Sequence, residues 1–194
     1  MANLLKFQAK KCWTAAGMLI QDGKTLLIKH KKLGLWLCPG GHVDPGEAPH
    51  ETAEREFLEE AGVKVRAVDY LFQADDDATE FVPSPIESNI HWVCRENYEK
   101  RIKSDHPEQR VTNKIWPRGC EQHINFVYLV EPFNSEQELI LKKNEEETTD
   151  IGWFGLDELP KLTEGSVTTG FLTQFRHGLD IVKRHRKKPL YGVK

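Results

Sequence analysis

The segment GHVDPGEAPHETAEREFLEEAGV, residues Gly41 to Val63, combines a turn, a helix and a dense cluster of charge. It follows Pro39-Gly40 and passes through a second turn at Pro45-Gly46. Pro49 suits the first helical turn, where its missing N–H is no loss, and Gly62 suits a C-terminal stop. Between those marks, spacings of three and four residues place Glu56, Glu59 and Glu60 on one helical stripe. Ala53, Phe57 and Ala61 form a second stripe, about 100° around the helix. The expected arrangement buries the apolar stripe against a sheet and leaves the acidic one wet and strongly negative.

Like charges at these spacings destabilise a helix by roughly 0.2–0.5 kcal/mol per pair. A divalent cation would reverse that sign. Hard carboxylate oxygens suit Mg²⁺ or Mn²⁺, which also accept phosphate oxygens and water. The glycine turn lets backbone groups approach the same ion or a phosphate. A solvated, Glu-rich surface helix is the alternative reading of the same run.

The longer spacing favours the cation. Gly41, five residues, Glu47, seven residues, Arg55-Glu56-Phe57, one residue, Glu59-Glu60, one residue and Gly62-Val63 resembles the Nudix box in every defined position. The resemblance implies an α/β fold, an α/β/α sandwich with a central mixed β-sheet. It further implies a Mg²⁺- or Mn²⁺-dependent hydrolase that cleaves a diphosphate linkage. Its substrate would be a nucleoside triphosphate or a nucleoside diphosphate linked to another group. By the same resemblance, Glu56 and Glu60 are the main metal ligands, Glu59 is a further ligand or water-positioning group, and the Gly40 or Gly41 carbonyl, Gly41 preferred, completes the set. Arg55 and Glu47 support the site, Glu47 tying its loop to the helix. The general base is left open among Glu59, Glu121, Glu146 and Glu147, because members of the family differ. A Nudix-fold binding or regulatory module without catalysis is the rival, although such modules usually lack box glutamates. An isoprenoid-type isomerase on the same fold would need an active-site cysteine, for which Cys38 is the candidate.

The chain of 194 residues is long enough for one well-buried domain, expected to span 1–194. Its net charge of −3 supplies no overall basic field and argues against stable nucleic-acid binding. No segment approaches the ~20 apolar residues of a membrane span, and the N-terminus lacks a signal-peptide core. Cys12, Cys38, Cys94 and Cys120 form no C-x-x-C pair. Reduced thiols in a cytoplasmic protein are therefore expected, rather than a zinc site or a disulfide framework.

Two strands, from Cys12 to Ile20 and from Thr25 to His30, flank a hairpin turn at Asp22-Gly23. The family resemblance sets the following edge beside the substrate, which makes Lys29 or Lys31 a candidate phosphate contact and Trp36 a candidate pocket wall, against a solvated edge strand for the lysines and core packing beneath the loop for Trp36. Val65 to Gln73 and Asn89 to Cys94 read as strands, and Asp75-Asp76-Asp77 as a loop. Residues 95–120 form a charged insertion with weak helical character around Tyr98 to Ile102. Trp92 and Trp116 are candidates for base stacking or plain packing. His123 to Val130 alternates as a half-buried strand, with Glu121 and His123 at its mouth and His123 a candidate substrate contact. Glu146 and Glu147 precede a strand ending at Trp153-Phe154. A terminal helix is expected at about 167–186, where Phe171, Leu172, Phe175, Leu179 and Val182 share one face. That face either covers the sheet or forms a homodimer contact. The basic run Lys183 to Lys188 suits a helix C-terminus.

Overall fold

The computed structural model describes residues 9–69, 78–79, 81–103, 119–134, 139–162 and 169–185. The acidic triplet 75–77, Trp116 and the end of the basic run lie outside them.

Strands β1 (Lys11–Gln21) and β2 (Lys24–His30) form the hairpin. Asp22 (φ 50°) and Gly23 (φ 77°) both occupy the left-handed region that this tight turn requires. Short strands β3 (Trp36–Leu37) and β4 (Gly40–His42) follow, then helix α1 (Pro49–Ala61) and strand β5 (Val65–Ala67). Next come β6 (Glu87–Trp92), α2 (Arg95–Lys103), β7 (Gln122–Pro132), β8 (Thr148–Phe154) and α3 (Thr169–His185).

Among the described residues, eight strands join in one mixed sheet whose main path runs β3-β2-β1-β7-β5, with β4 on β1, β6 on β7 and β8 on β2. The long β1–β7 pairing is parallel, from Lys11 opposite Gln122 to Leu19 opposite Val130. The other pairings are antiparallel.

Two apolar layers result from the period-two alternation of the central strands. Leu19, Leu26 and Val130 point to one face and pack with Ala53, Phe57 and Ala61 of α1. Their chain neighbours Met18, Leu27 and Leu129 point to the other and pack with Phe175 and Leu179 of α3. Sandwiching a mixed sheet between α1 and α3 gives the α/β/α architecture. The apolar face of α3 thus covers the sheet. No helix among the described residues is long and apolar enough to cross a membrane.

Of the two readings of Trp36, the structure takes core packing. The residue is 8 % exposed and belongs to the layer under α3, where its ring meets Phe154 edge-on at 4.7 Å. Its large apolar surface is worth more in the core than at a wet pocket wall.

Candidate active site

The site forms where the glycine turn is clamped between β1 and α1. In the β1–β4 register Gly40 faces Ala16, Gly41 faces Ala15 and His42 faces Thr14. The Gly17 N–H donates to the Pro39 carbonyl at 2.9 Å, and the Val43 N–H to the Trp13 carbonyl at 3.0 Å. A Cβ on Gly40 would stand 2.5 Å from the Ala15 carbonyl oxygen and 2.7 Å from Ala16 Cα, which are backbone atoms and cannot yield. A Cβ on Gly41 would instead fall on the Glu56 carboxylate, the mobile end of a side chain. Gly40→Ala is therefore expected to cost about 1–3 kcal/mol in a urea melt, as overpacking does. Gly41→Ala should stay within about 1 kcal/mol of wild type and displace Glu56 instead. Equal losses from the two substitutions would contradict this account.

The acidic face of α1 is not uniformly wet. Glu60 is 2 % exposed and sits at the edge of the stripe carrying Ala53, Phe57 and Ala61. Seven residues after Ala53 is two helical turns, so the two faces merge there. Its Oε2 accepts the Gly40 N–H at 2.9 Å. Burial, reinforced by the nearby Glu56, Glu147 and Glu59 charges, pushes the Glu60 carboxyl up to about 8 against that bond. Burial also raises Glu56, outweighing its hydrogen bond from Arg55. The Glu59 side chain is half exposed.

Arg55 organises the remaining carboxylates. Its Nε donates to Glu47 Oε1 at 2.7 Å and its Nη2 to Glu47 Oε2 at 3.0 Å, a bidentate fork. Nη1 reaches Glu56 Oε1 at 2.8 Å and Glu59 Oε2 at 3.2 Å, and Nη2 also donates to the His42 carbonyl at 3.2 Å. Glu47 accepts further bonds from Thr52 Oγ1 at 2.7 Å and the Asp44 N–H at 3.3 Å. These bonds, the Arg55 one foremost, hold the Glu47 carboxyl down to about 2.

A cavity of about 310 Å³ opens above this network. Gly40 and the box supply one side, the box through Gly41, His42, Asp44, Arg55, Glu56 and Glu60, and more distant segments supply His30, Lys32, Val93, Cys120, His123 and Glu147. The fold thus brings His123 and Glu147 to Glu56 and Glu60. It does not bring every expected residue. Lys29 precedes the lining residue His30 on β2 and is absent from the lining itself. Glu121 is fully buried and its Oε2 accepts the Lys10 N–H at 2.9 Å, away from the cavity. Glu146 is exposed outside the cavity, its N–H bonded to Asn144 Oδ1 at 3.0 Å. Sequence reasoning missed Lys32, His30, His42, Asp44 and Cys120. His42 and Asp44 lie inside the quoted segment, at positions that no motif spacing marked.

The thiols also depart from expectation, because Cys12 and Cys120 are joined in a disulfide across 108 residues. The parallel β1–β7 pairing places Cys12 opposite His123 and so carries Cys120 to its side, an adjacency that separation in sequence conceals. The His123 ring contacts those of His42 at 5.0 Å and His91 at 5.4 Å. Burial, aided by His91 and His42, pushes His123 down to about 3, so it is neutral at physiological pH. Cys38 packs against the layer under α3, and burial pushes its thiol up to about 12. A protonated thiol outside the cavity is a poor nucleophile.

Chemically, the centre offers several hard oxygen donors around a buried carboxyl whose ionised form is under-compensated. That donor set fits a hard divalent cation, with Glu56, Glu60 and the Gly41 backbone able to hold it.

Comparison with known proteins agrees with this geometry. The chain is 29 % identical over 156 residues to an RNA pyrophosphohydrolase of Erythrobacter litoralis, covering 76 % of this chain and 78 % of the relative. It is 33 % identical over 85 residues to an oxidized purine nucleoside triphosphate hydrolase of Danio rerio, covering 42 % of this chain and 53 % of that one. The crystal structure of a NUDIX-family hydrolase from Clostridium perfringens superposes with a TM-score of 0.60 at 20 % identity, over 88 % of this chain and 97 % of that one. The family model for the NUDIX domain matches residues 13–174. A box in register with a glycine turn, a clamped acidic helix and a mixed sheet between helices belongs together with that match, and the chain is a member of the NUDIX domain family.

Proposed function

We propose that this chain is a Mg²⁺- or Mn²⁺-dependent nucleotide pyrophosphohydrolase, a single domain over 1–194 acting on a nucleoside triphosphate or a nucleoside diphosphate linked to another group. The observation that carries the reading is the buried Glu60 carboxyl, raised to about 8 beside Glu56 in a cavity wall. A fold tolerates such a group at a cost, and bound cation removes that cost. When bound, the cation neutralises phosphate charge and lowers the pKa of water.

In this reading Glu56, Glu60 and the Gly41 carbonyl hold the cation, and Glu59, half exposed, orients water or adds a ligand. Arg55 and Glu47 fix the helix to the turn, so that the carboxylates meet the phosphates without rearrangement. Glu147 is the preferred general base, since it lines the cavity while Glu121 and Glu146 do not. Lys32, at the cavity mouth, replaces Lys29 as the phosphate contact, and His123 remains a contact for the rest of the substrate. The named relatives, an RNA pyrophosphohydrolase and an oxidized purine nucleoside triphosphate hydrolase, support a phosphorylated nucleotide as substrate. Completeness of the box glutamates speaks against an inactive module, and the buried Cys38 thiol against the isomerase.

The test is incubation with Mg²⁺ or Mn²⁺ and a panel of ordinary and oxidised (d)NTPs, ADP-ribose, dinucleoside polyphosphates and a 5′-triphosphorylated RNA, with product identification. Hydrolysis of at least one substrate is expected, giving pyrophosphate or phosphate with a nucleoside mono- or diphosphate from a triphosphate, or AMP and ribose 5-phosphate from ADP-ribose. Tight binding without hydrolysis of any would establish the module instead.

A further inference from the structure

Two cavity-lining residues, His42 and Cys120, together with Cys12 bonded to the latter, gather sulfur and nitrogen donors that the carboxylate chemistry does not use. Cys12 Sγ, Cys120 Sγ and a ring nitrogen of His42 all lie within 4.8 Å of one another. Three separate segments deliver them: β1, the end of β4 and the residue two before β7. Cys120 Sγ and His42 Nε2 are 3.4 Å apart. Two ligands of one tetrahedral zinc ion, with bonds of ~2.3 Å to sulfur and ~2.0–2.1 Å to nitrogen, stand about 3.5 Å apart. The His42–Cys120 spacing is therefore already that of a shared ion. The cysteine Cα atoms are 5.8 Å apart, so their sulfurs need only side-chain rotation to separate.

We propose that, in the reduced protein, Cys12, Cys120 and His42 form a binding site for Zn²⁺ beside the carboxylate cavity. Reduction by a dithiol breaks the Cys12–Cys120 bond. Each sulfur gains a proton, and the dithiol, giving up two electrons, becomes a disulfide. Zn²⁺ then displaces the two thiol protons, and His42 binds through Nε2. The soft donors separate this ion from the hard cation expected at Glu56 and Glu60. His123 is at hand for a fourth position, because its buried Nε2 has no hydrogen-bond partner among the described residues. The His42 carbonyl accepts from Arg55 Nη2 at 3.2 Å, so an ion on the His42 ring tethers the strand that the arginine clamp grips from the other side. The site stands on its own ligands and does not depend on what the chain hydrolyses.

Cobalt reports the site directly. The full chain is treated with dithiothreitol and chelator, desalted without oxygen and titrated with Co²⁺. A thiolate-to-cobalt charge-transfer band and intense tetrahedral visible bands should saturate at one equivalent. Zn²⁺ should bleach them, and excess Mg²⁺ should not. Cys12→Ser and Cys120→Ser should lose most of the charge-transfer intensity, and His42→Gln should weaken Co²⁺ binding at least ~10-fold, a loss of one ligand's share of affinity. Cys38→Ser and Cys94→Ser should retain it. The unreduced wild-type protein provides a control without substitution and should show no band. A purely structural disulfide predicts no band in the reduced wild type. That outcome, or a band that survives Cys120→Ser or precedes reduction, overturns the proposal.

Discussion

Glu60→Gln is expected to lower turnover by about 10³-fold while making the metal-free protein more stable at pH 8. The first effect follows from losing a hard charged ligand in a buried setting, where about 4 kcal/mol of transition-state stabilisation corresponds to that factor. Glu56→Gln should lower turnover to a similar degree. The second effect follows from linkage. The Glu60 carboxyl is raised from 4.5 to about 8 in the fold. A raised pKa contributes stability that is present below the unfolded value and lost as pH climbs through the folded one. Chelated wild-type protein should thus weaken between pH 4.5 and 8, by an upper bound on the order of 3–5 kcal/mol. Glutamine keeps the acceptor for the Gly40 N–H and carries no charge, so the variant should melt several degrees higher at pH 8 and lose that advantage near pH 4.5. The check is a pair of melts in chelator across this range, together with a turnover assay in Mg²⁺. Wild-type turnover in both glutamine variants would remove the ligand assignment. A Glu60→Gln melting point no higher than wild type at pH 8 would remove the account of its burial.

The same residue shows how far sequence alone reaches. The helix, its caps, the hairpin turn at Asp22-Gly23 and the two apolar layers all rest on local periodicity, and local periodicity is written in the chain. Glu60 belongs to two patterns at once. Three- and four-residue spacing joins it to Glu56 and the acids, while its distance from Ala53 joins it to the core. Only the position of the sheet decides which face prevails. The pocket's other wall depends on long-range register, so it was legible only in part. Cys12 and Cys120 meet because β1 and β7 run parallel, and no spacing records that pairing. In sequence Trp36 stays open between pocket and core and His42 goes unmarked for a related reason, because both flank the glycine turn and the pleat alone determines which side chain faces the cavity.

Arg55→Ala should cost about 2–4 kcal/mol of stability, a fall of roughly 5–10 °C in Tm, and should also cripple turnover. One guanidinium holds both Glu47 oxygens, Glu56, Glu59 and the His42 carbonyl. Without it, carboxylates gathered around a partly buried centre repel one another, and Glu56 loses the contact that aims it at the cavity. Arg55→Lys preserves the charge and tests geometry. A single ammonium cannot bridge Glu47 side-on while reaching Glu56 and the carbonyl, so less than half of the lost stability should return. The pH dependence has the opposite sign to that of Glu60. Glu47 is held down to about 2 from 4.5, chiefly by Arg55. A depressed pKa contributes stability that is present above the unfolded value and lost as pH falls through the folded one. The gap between wild type and Arg55→Ala should therefore be full at pH 7, begin to close below about 4.5 and shrink near pH 2 to a small remainder that includes the non-titrating bond to the His42 carbonyl. Melts at several pH values in that range measure the gap directly. A constant gap would mean that Arg55 stabilises the fold by packing alone. Full recovery in Arg55→Lys would mean that charge suffices and the bidentate fork does not matter.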